Sequence, residues 1–182
     1  PITEENKLKG LITISDIATA YMDVYDNKML STAATTYKNI LDTLDGEMVV
    51  GDEEGCFDHG EVVIATANPD ILEDYIHEGD MVVLGNRYES QLCAIEMNAA
   101  VLIISMDSKV SLTIKKLAEE HGCRLITTPY DTFTVARLLN QSMSISYFMK
   151  SKDLVAFNIK DKTEDIKDIM GKKRHRDFPV LD

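Results

Sequence analysis

Three stretches of this 182-residue chain combine residue types able to hold an anion. The first is Gly10-Leu11-Ile12-Thr13-Ile14-Ser15-Asp16-Ile17. An apolar run that delivers Thr13, Ser15 and Asp16 onto the start of a helix is a natural nucleotide seat. Free backbone N–H groups and the helix dipole attract phosphate, hydroxyls add donors, and a carboxylate can accept both hydroxyls of a ribose. Plain N-capping by Ser15 or Asp16 would account for the same residues. The second stretch is basic: Lys172-Lys173-Arg174-His175-Arg176 runs into Asp177-Phe178-Pro179-Val180. Arg174 and Arg176 suit two-pronged phosphate contacts, and Phe178 could present an apolar face to a base. A solvated helix C-terminus, where cations suit the dipole, explains the cluster equally well. The third is Gly85-Asn86-Arg87-Tyr88-Glu89-Ser90, placed between a strand-like and a helical segment. Loops at the carboxyl ends of parallel strands commonly carry function, whereas Gly-Asn is also ordinary turn chemistry. A turn alone does not require Arg87.

No catalytic constellation accompanies these stretches. The four histidines are scattered, with no spacing suited to zinc, and no Ser or Cys occupies a nucleophile elbow. Glu53-Glu54 and Glu119-Glu120 read as solvated faces, and the nine methionines as core filling. No metal site is expected. The three cysteines, Cys56, Cys93 and Cys123, lack a C-x-x-C spacing and read as free thiols of a reducing, cytoplasmic compartment. A net charge of −12 argues against nucleic acid as a partner, since a polyphosphate needs an accessible positive surface. The longest apolar run, Ala99 to Ile104, is far too short to cross a bilayer, so no membrane is expected either. The chain opens on Pro1 and not Met, which raises the expectation that it is a piece of a larger protein.

The elements that must position these residues follow from periodicity. Val62–Ala65, Met81–Leu84, Ala100–Ile104 and Arg124–Thr127 are continuous β-branched runs, as strands buried on both faces require. Helical segments fall at Asp70–His77, Ser90–Asn98, Ser111–His121 and Asp131–Gln141, with Gly122 and Asp131 as cap signals. A helix over Thr36–Leu44 and a strand over Glu47–Gly51 precede them. The alternation predicts an α/β layer fold with a mainly parallel sheet. At the ends, Leu11–Ile14 reads as a strand running into a helix from Ser15. Leu154–Asn158, Thr163–Gly171 and Phe178–Asp182 read as strand, helix and strand, with Ile166, Ile169 and Met170 on one helix face.

Gly10–Asp16 resembles the closing strand–helix motif of a CBS domain. Asp168-Ile169-Met170 with Arg176–Asp182 resembles the first helix and second strand of another. Gly79–Arg87 and Thr128–Leu139 look like a DRTGG domain. A DRTGG domain between two CBS domains is the arrangement of the regulatory region of family II inorganic pyrophosphatases. The resemblance implies a closing CBS half over residues 1–28, a DRTGG-like domain over 29–146 and an opening CBS half over 147–182. The two half-CBS segments are expected to pack into one CBS-like unit.

The same resemblance implies a non-catalytic region that controls a manganese- or cobalt-dependent pyrophosphatase carrying a DHH-type catalytic domain. AMP and ADP would inhibit and ATP or diadenosine tetraphosphate activate, in a homodimer joined through CBS and DRTGG surfaces. By position it implies a nucleotide site drawn from Thr13, Ser15, Asp16, Ser151, Lys152, Arg174, His175, Arg176 and Phe178. It also places Arg87 and Tyr88 at a regulatory interface. Asn86-Arg87-Tyr88-Glu89-Ser90 departs from the namesake motif, so roles of that motif's later Thr and Gly do not carry over. The rival expectation is a structural dimerisation module that binds no ligand.

Overall fold

A computed structural model describes residues 1–22, 26–173 and 178–181. The chain opens with β1 (Ile2–Glu4), β2 (Lys7–Gly10) and α1 (Ile14–Met22), followed by α2 (Met29–Thr32), β3 (Thr35–Thr36), α3 (Tyr37–Leu44) and β4 (Glu47–Val50). Then come β5 (Cys56–Phe57), β6 (Val62–Ile64), α4 (Pro69–Leu72), β7 (Met81–Leu84), α5 (Tyr88–Glu96) and β8 (Val101–Ile104). The remainder is α6 (Leu112–His121), β9 (Arg124–Thr127), α7 (Thr132–Leu139), α8 (Ile145–Phe148), β10 (Phe157–Asn158), α9 (Thr163–Lys173) and β11 (Val180–Leu181). These elements fall into two compact units, Pro1–Ala20 with Phe148–Asp182, and Tyr21–Tyr147.

In the first unit, β1 and β2 form an antiparallel hairpin whose turn uses left-handed Glu5 and Asn6. The strand expected over Leu11–Ile14 instead ends at Gly10, and only Leu11 continues it, as an antiparallel bridge to Lys150. Leu11 N–H donates to the Lys150 carbonyl at 2.9 Å, and Lys150 N–H returns the bond at 2.8 Å. Gly10 makes this approach possible, because a Cβ there would stand 2.6 Å from Met149 Sδ. At the other end, β10 and β11 pair in parallel around α9. The strand expected from Leu154 is only the pair Phe157–Asn158. Residues 151–156 lie outside the strand, with Asp153 left-handed. Phe157 is buried, while Ile166, Ile169 and Met170 on α9 are half-buried. Ile14, Ile17, Ile159, Val180 and Leu181 are exposed.

The second unit is an α/β fold around a mixed, mostly parallel five-stranded sheet of order β4-β9-β8-β7-β6. The four parallel strands lie side by side in their chain order, and β4 joins the edge antiparallel to β9. Right-handed crossovers between successive neighbours place the intervening helices on one face. Val82, Leu84, Leu102, Ile104 and Leu125 accordingly pack with Ala94, Ile95, Ile114 and Ala118 of α5 and α6. The alternate residues Met81, Val83, Ile103 and Ile126 are equally buried and point the other way, and α3 packs against α7, which also touches β7. Caps follow the sequence signals: Ser111 Oγ accepts from Ile114 N–H, Gly122 is left-handed, and Asp131 accepts from Phe133 and Thr134 N–H. The helix expected over Asp70–His77 stops as one turn at Leu72 and continues as turns. The chain must reverse there to enter β7, and Asp80 holds the reversal by accepting His77 N–H at 2.8 Å.

Asp80 also accepts Glu61 N–H at 2.8 Å, tying the starts of β6 and β7 together. The two loops meet at Gly60 and Gly79, both at positive φ, where a Cβ on Gly60 would collide with the Gly79 carbonyl. Gly60→Ala is therefore expected to destabilise the fold by roughly 2–4 kcal/mol. Gly171→Ala, which meets nothing within 4 Å, should leave stability unchanged or slightly raised. Urea denaturation followed by circular dichroism tests both.

Candidate functional site

The start of α1 is held by a reciprocal pair. Thr13 Oγ1 accepts Asp16 N–H at 3.2 Å, while Asp16 Oδ2 accepts both Thr13 N–H at 2.8 Å and Thr13 O–H at 2.7 Å. Thr13 also accepts Ile17 N–H through its carbonyl at 3.2 Å. This is a capping box with Asp in the returning position. The cap is thus Thr13, two residues before Ser15 and three before Asp16, the caps expected from sequence, and the helix begins at Ile14. Thr13-x-Ser15-Asp16 offers three capping side chains in four positions, and only the reciprocal bonding distinguishes them.

Asp16 has a second partner: Lys150 Nζ lies 3.3 Å from Oδ1. The hydrogen bonds from Thr13, side chain first and then backbone, hold the Asp16 carboxyl below the usual carboxylate range, with Lys150 adding a smaller push. The Asp16 side chain is 18% exposed and that of Lys150 61%. Ser15, Ser151 and Lys152 are exposed. Phe178 is half-buried, its ring 5.0 Å from that of Phe157 and tilted by 52°. Its packing against Phe157 thus uses part of the apolar surface expected to meet a base. Thr13, Ser15, Asp16, Ser151, Lys152 and Phe178 all belong to the first unit, while Arg174, His175 and Arg176 lie outside the described residues. Lys150 is the residue that sequence reasoning missed. Nothing in its spacing marks it, because its link to Asp16 runs through a long-range backbone bridge.

Arg87 and Tyr88 belong to the second unit. Arg87 occupies the position before α5 without capping it by its side chain, and both residues are exposed at the carboxyl end of β7. Gly85 is held by Gln91 Nε2, which donates to its carbonyl at 3.2 Å. The strand order of this sheet contains no reversal among its parallel strands, so the crevice that such reversals open in other α/β sheets is not formed at this loop.

A profile described as the DRTGG domain matches residues 39–142. The chain belongs to the DRTGG family. It is 38% identical over 177 residues to a cobalt-dependent inorganic pyrophosphatase of Clostridium perfringens, covering 97% of this chain and 32% of that protein. It is 26% identical over 170 residues to a probable manganese-dependent inorganic pyrophosphatase of Thermotoga maritima, covering 93% of this chain and 31% of that one. The chain thus spans about a third of the length of these relatives. A solved structure matches with a TM-score of 0.85 and 38% identity, over 97% of this chain and 77% of that chain. It contains the CBS and DRTGG domains of the regulatory region of Clostridium perfringens pyrophosphatase, complexed with its activator diadenosine tetraphosphate. This chain has the make-up of such a CBS–DRTGG regulatory region.

The unit that contains the DRTGG domain also carries a polar hollow of about 410 Å³ at the amino ends of β6 and β7, lined among others by Lys28, Ser31, His59, Tyr75, His77 and Asp80. In the sequence His59 and His77 lie far apart, with no spacing that links them. They converge because Gly60-Glu61-Val62-Val63 and Gly79-Asp80-Met81-Val82-Val83 enter neighbouring strands in the same way. Among the described residues, no three His, Cys, Asp or Glu side chains gather so as to hold a metal ion. Nor is any helix there long and apolar enough to cross a membrane.

Two predictions arise from these environments. The folded Asp16 carboxyl binds its proton less tightly than the unfolded chain does, so its bonds stabilise the first unit above about pH 4. That contribution is lost as the pH falls through the lowered folded value. Asp16→Asn should therefore flatten the acid limb of a stability–pH profile, and Thr13→Ala should cost about 1 kcal/mol at neutral pH. The second concerns thiols. Burial pushes the Cys123 thiol up to about 12 and also raises that of buried Cys93, whereas Cys56 is partly exposed. Iodoacetamide at neutral pH should label Cys56 in the folded chain, and the other two only after unfolding, as mass spectrometry of peptides would show.

Proposed function

We propose that this chain is an adenine-nucleotide-responsive regulatory region, non-catalytic in itself, that controls a metal-dependent inorganic pyrophosphatase. The observation that carries this reading is the Thr13–Asp16 pair at the start of α1, in a chain matched across 97% of its length by a diadenosine tetraphosphate complex. In the proposed organisation residues 1–28 close one CBS domain, 29–146 form the DRTGG domain and 147–182 open a second CBS domain. Packing of residues 1–20 with 148–182 into one unit supports joining the two CBS segments. The Thr13 hydroxyl would meet phosphate and the Asp16 carboxylate the ribose hydroxyls. Ser15, Ser151 and Lys152 would line the pocket, and Phe178 would flank the base. Arg174, His175 and Arg176 are carried in this proposal by sequence alone.

AMP and ADP inhibit in this reading, and ATP or diadenosine tetraphosphate activates. The parent is a cytoplasmic homodimer joined through CBS and DRTGG surfaces, with Arg87 and Tyr88 at the regulatory interface. Its manganese or cobalt belongs to a DHH-type catalytic domain of the parent chain. One observation favours the alternative of a structural dimerisation module: the hydroxyl of Thr13 and one oxygen of Asp16 are already engaged in capping.

Calorimetric titration of the 182-residue chain with AMP, ATP and diadenosine tetraphosphate separates the two readings. Saturable binding of at least one nucleotide, weakened tenfold or more by Asp16→Ala, is the expected result, on the order of one lost charge-assisted hydrogen bond. No heat from any of the three at millimolar nucleotide would leave the dimerisation module.

A further inference from the structure

We infer that Lys150 is a phosphate-binding residue of the proposed nucleotide site, stored on Asp16 while the site is empty and released when a ribose takes the carboxylate. This rests on the nucleotide reading above and adds to it a cation and an exchange.

The backbone of Lys150 is fixed beside the site. Its N–H and C=O both bond to Leu11, two residues ahead of Thr13, and Gly10 leaves room for the approach. A Cβ at Gly10 would sit 3.0 Å from the Lys150 carbonyl oxygen, so any side chain there would press directly on this segment. From that fixed base the ammonium reaches Asp16 Oδ1, but only to 3.3 Å, longer than the roughly 2.7–2.9 Å of a strong charge-assisted bond. With 61% of its side chain exposed, Lys150 is held loosely. Pairs of this kind are worth little and exchange readily. The two oxygens of Asp16 also differ in their commitments: Oδ2 takes both Thr13 bonds, and Oδ1 faces Lys150.

The chemistry follows from that asymmetry. A nucleotide brings hydroxyl donors and an anion together. Hydroxyls donating to Oδ1 compete with Lys150 and not with the Thr13 bonds to Oδ2. The displaced ammonium, on a flexible four-carbon stem, can swing to a phosphate without any movement of its backbone. One ion pair is replaced by two matched contacts, ribose on carboxylate and phosphate on ammonium. Without Lys150, a phosphate would approach the Asp16 charge with that countercharge missing. A nucleoside lacking phosphate gains nothing from Lys150 and must still displace it. Lys150 therefore favours nucleotides over nucleosides.

The test compares AMP with adenosine on wild-type, Lys150→Gln and Lys150→Arg chains, with weak binding followed by amide chemical shifts. Lys150→Gln should weaken AMP binding about 10- to 100-fold and leave adenosine unchanged or slightly tighter. Lys150→Arg should restore most of the AMP affinity, and the unfolding midpoint should be the same in all three chains. Equal losses for AMP and adenosine would make Lys150 a structural partner of Asp16 and overturn the inference. So would undiminished AMP binding by Lys150→Gln, while the nucleotide reading itself survived. A wild-type chain silent to both compounds would overturn the nucleotide reading, and this inference with it.

Discussion

The paired hydrogen bonds between Leu11 and Lys150 join two stretches of chain separated by the entire DRTGG domain. Closing so long a loop is entropically unfavourable, though the penalty grows only slowly with length. Contacts between the two stretches offset it: Gly10 admits Met149, and Lys150 reaches Asp16. The first unit exists as a unit because these contacts hold. The residues of the proposed site are likewise divided, with Thr13 and Asp16 before the DRTGG domain and Lys150 to Phe178 after it. Neither stretch alone contains the proposed site.

The DRTGG domain has the opposite character. Its central strands β7 and β8 are buried at every position and flanked by parallel neighbours. The unbroken sequential order of the parallel strands gives each crossover the same hand and the same destination, so α5 and α6 share one apolar layer. Rigidity at the amino end is reinforced by Asp80, which accepts backbone donors from two separate loops. A sheet built in this way deforms little.

What sequence reading recovered, and what it missed, divides along the same line. β7, β8, α6 and α7 were legible because their signals are local: continuous β-branched runs, Ser111 and Gly122 around one helix, Asp131 before the next. The two-residue strands β3 and β5 carry no periodicity and exist only through each other, Thr35 opposite Phe57. The β1–β2 hairpin escaped because its turn uses Glu5 and Asn6 rather than glycine. At the candidate site, Thr13 and Asp16 are legible by type, yet the cap is Thr13 rather than Ser15 or Asp16, and only reciprocal bonding fixes it. Lys150 and the convergence of His59 with His77 depend on contacts between segments that local spacing does not encode.

The exposed aliphatic side chains of the first unit bear on how the chain behaves in solution. Ile14 is 87% exposed, Ile159 69% and Val180 62%, so several aliphatic side chains of this unit face solvent. At neutral pH the formal charge of −12 keeps molecules apart despite them. That protection fades toward the isoelectric point near 4.7, above the more acid range in which Asp16 loses its charge and its hold on Thr13. On acidification, colloidal stability is therefore lost before the α1 cap. Mild acid should make the molecule self-adhesive while the α1 cap is still intact.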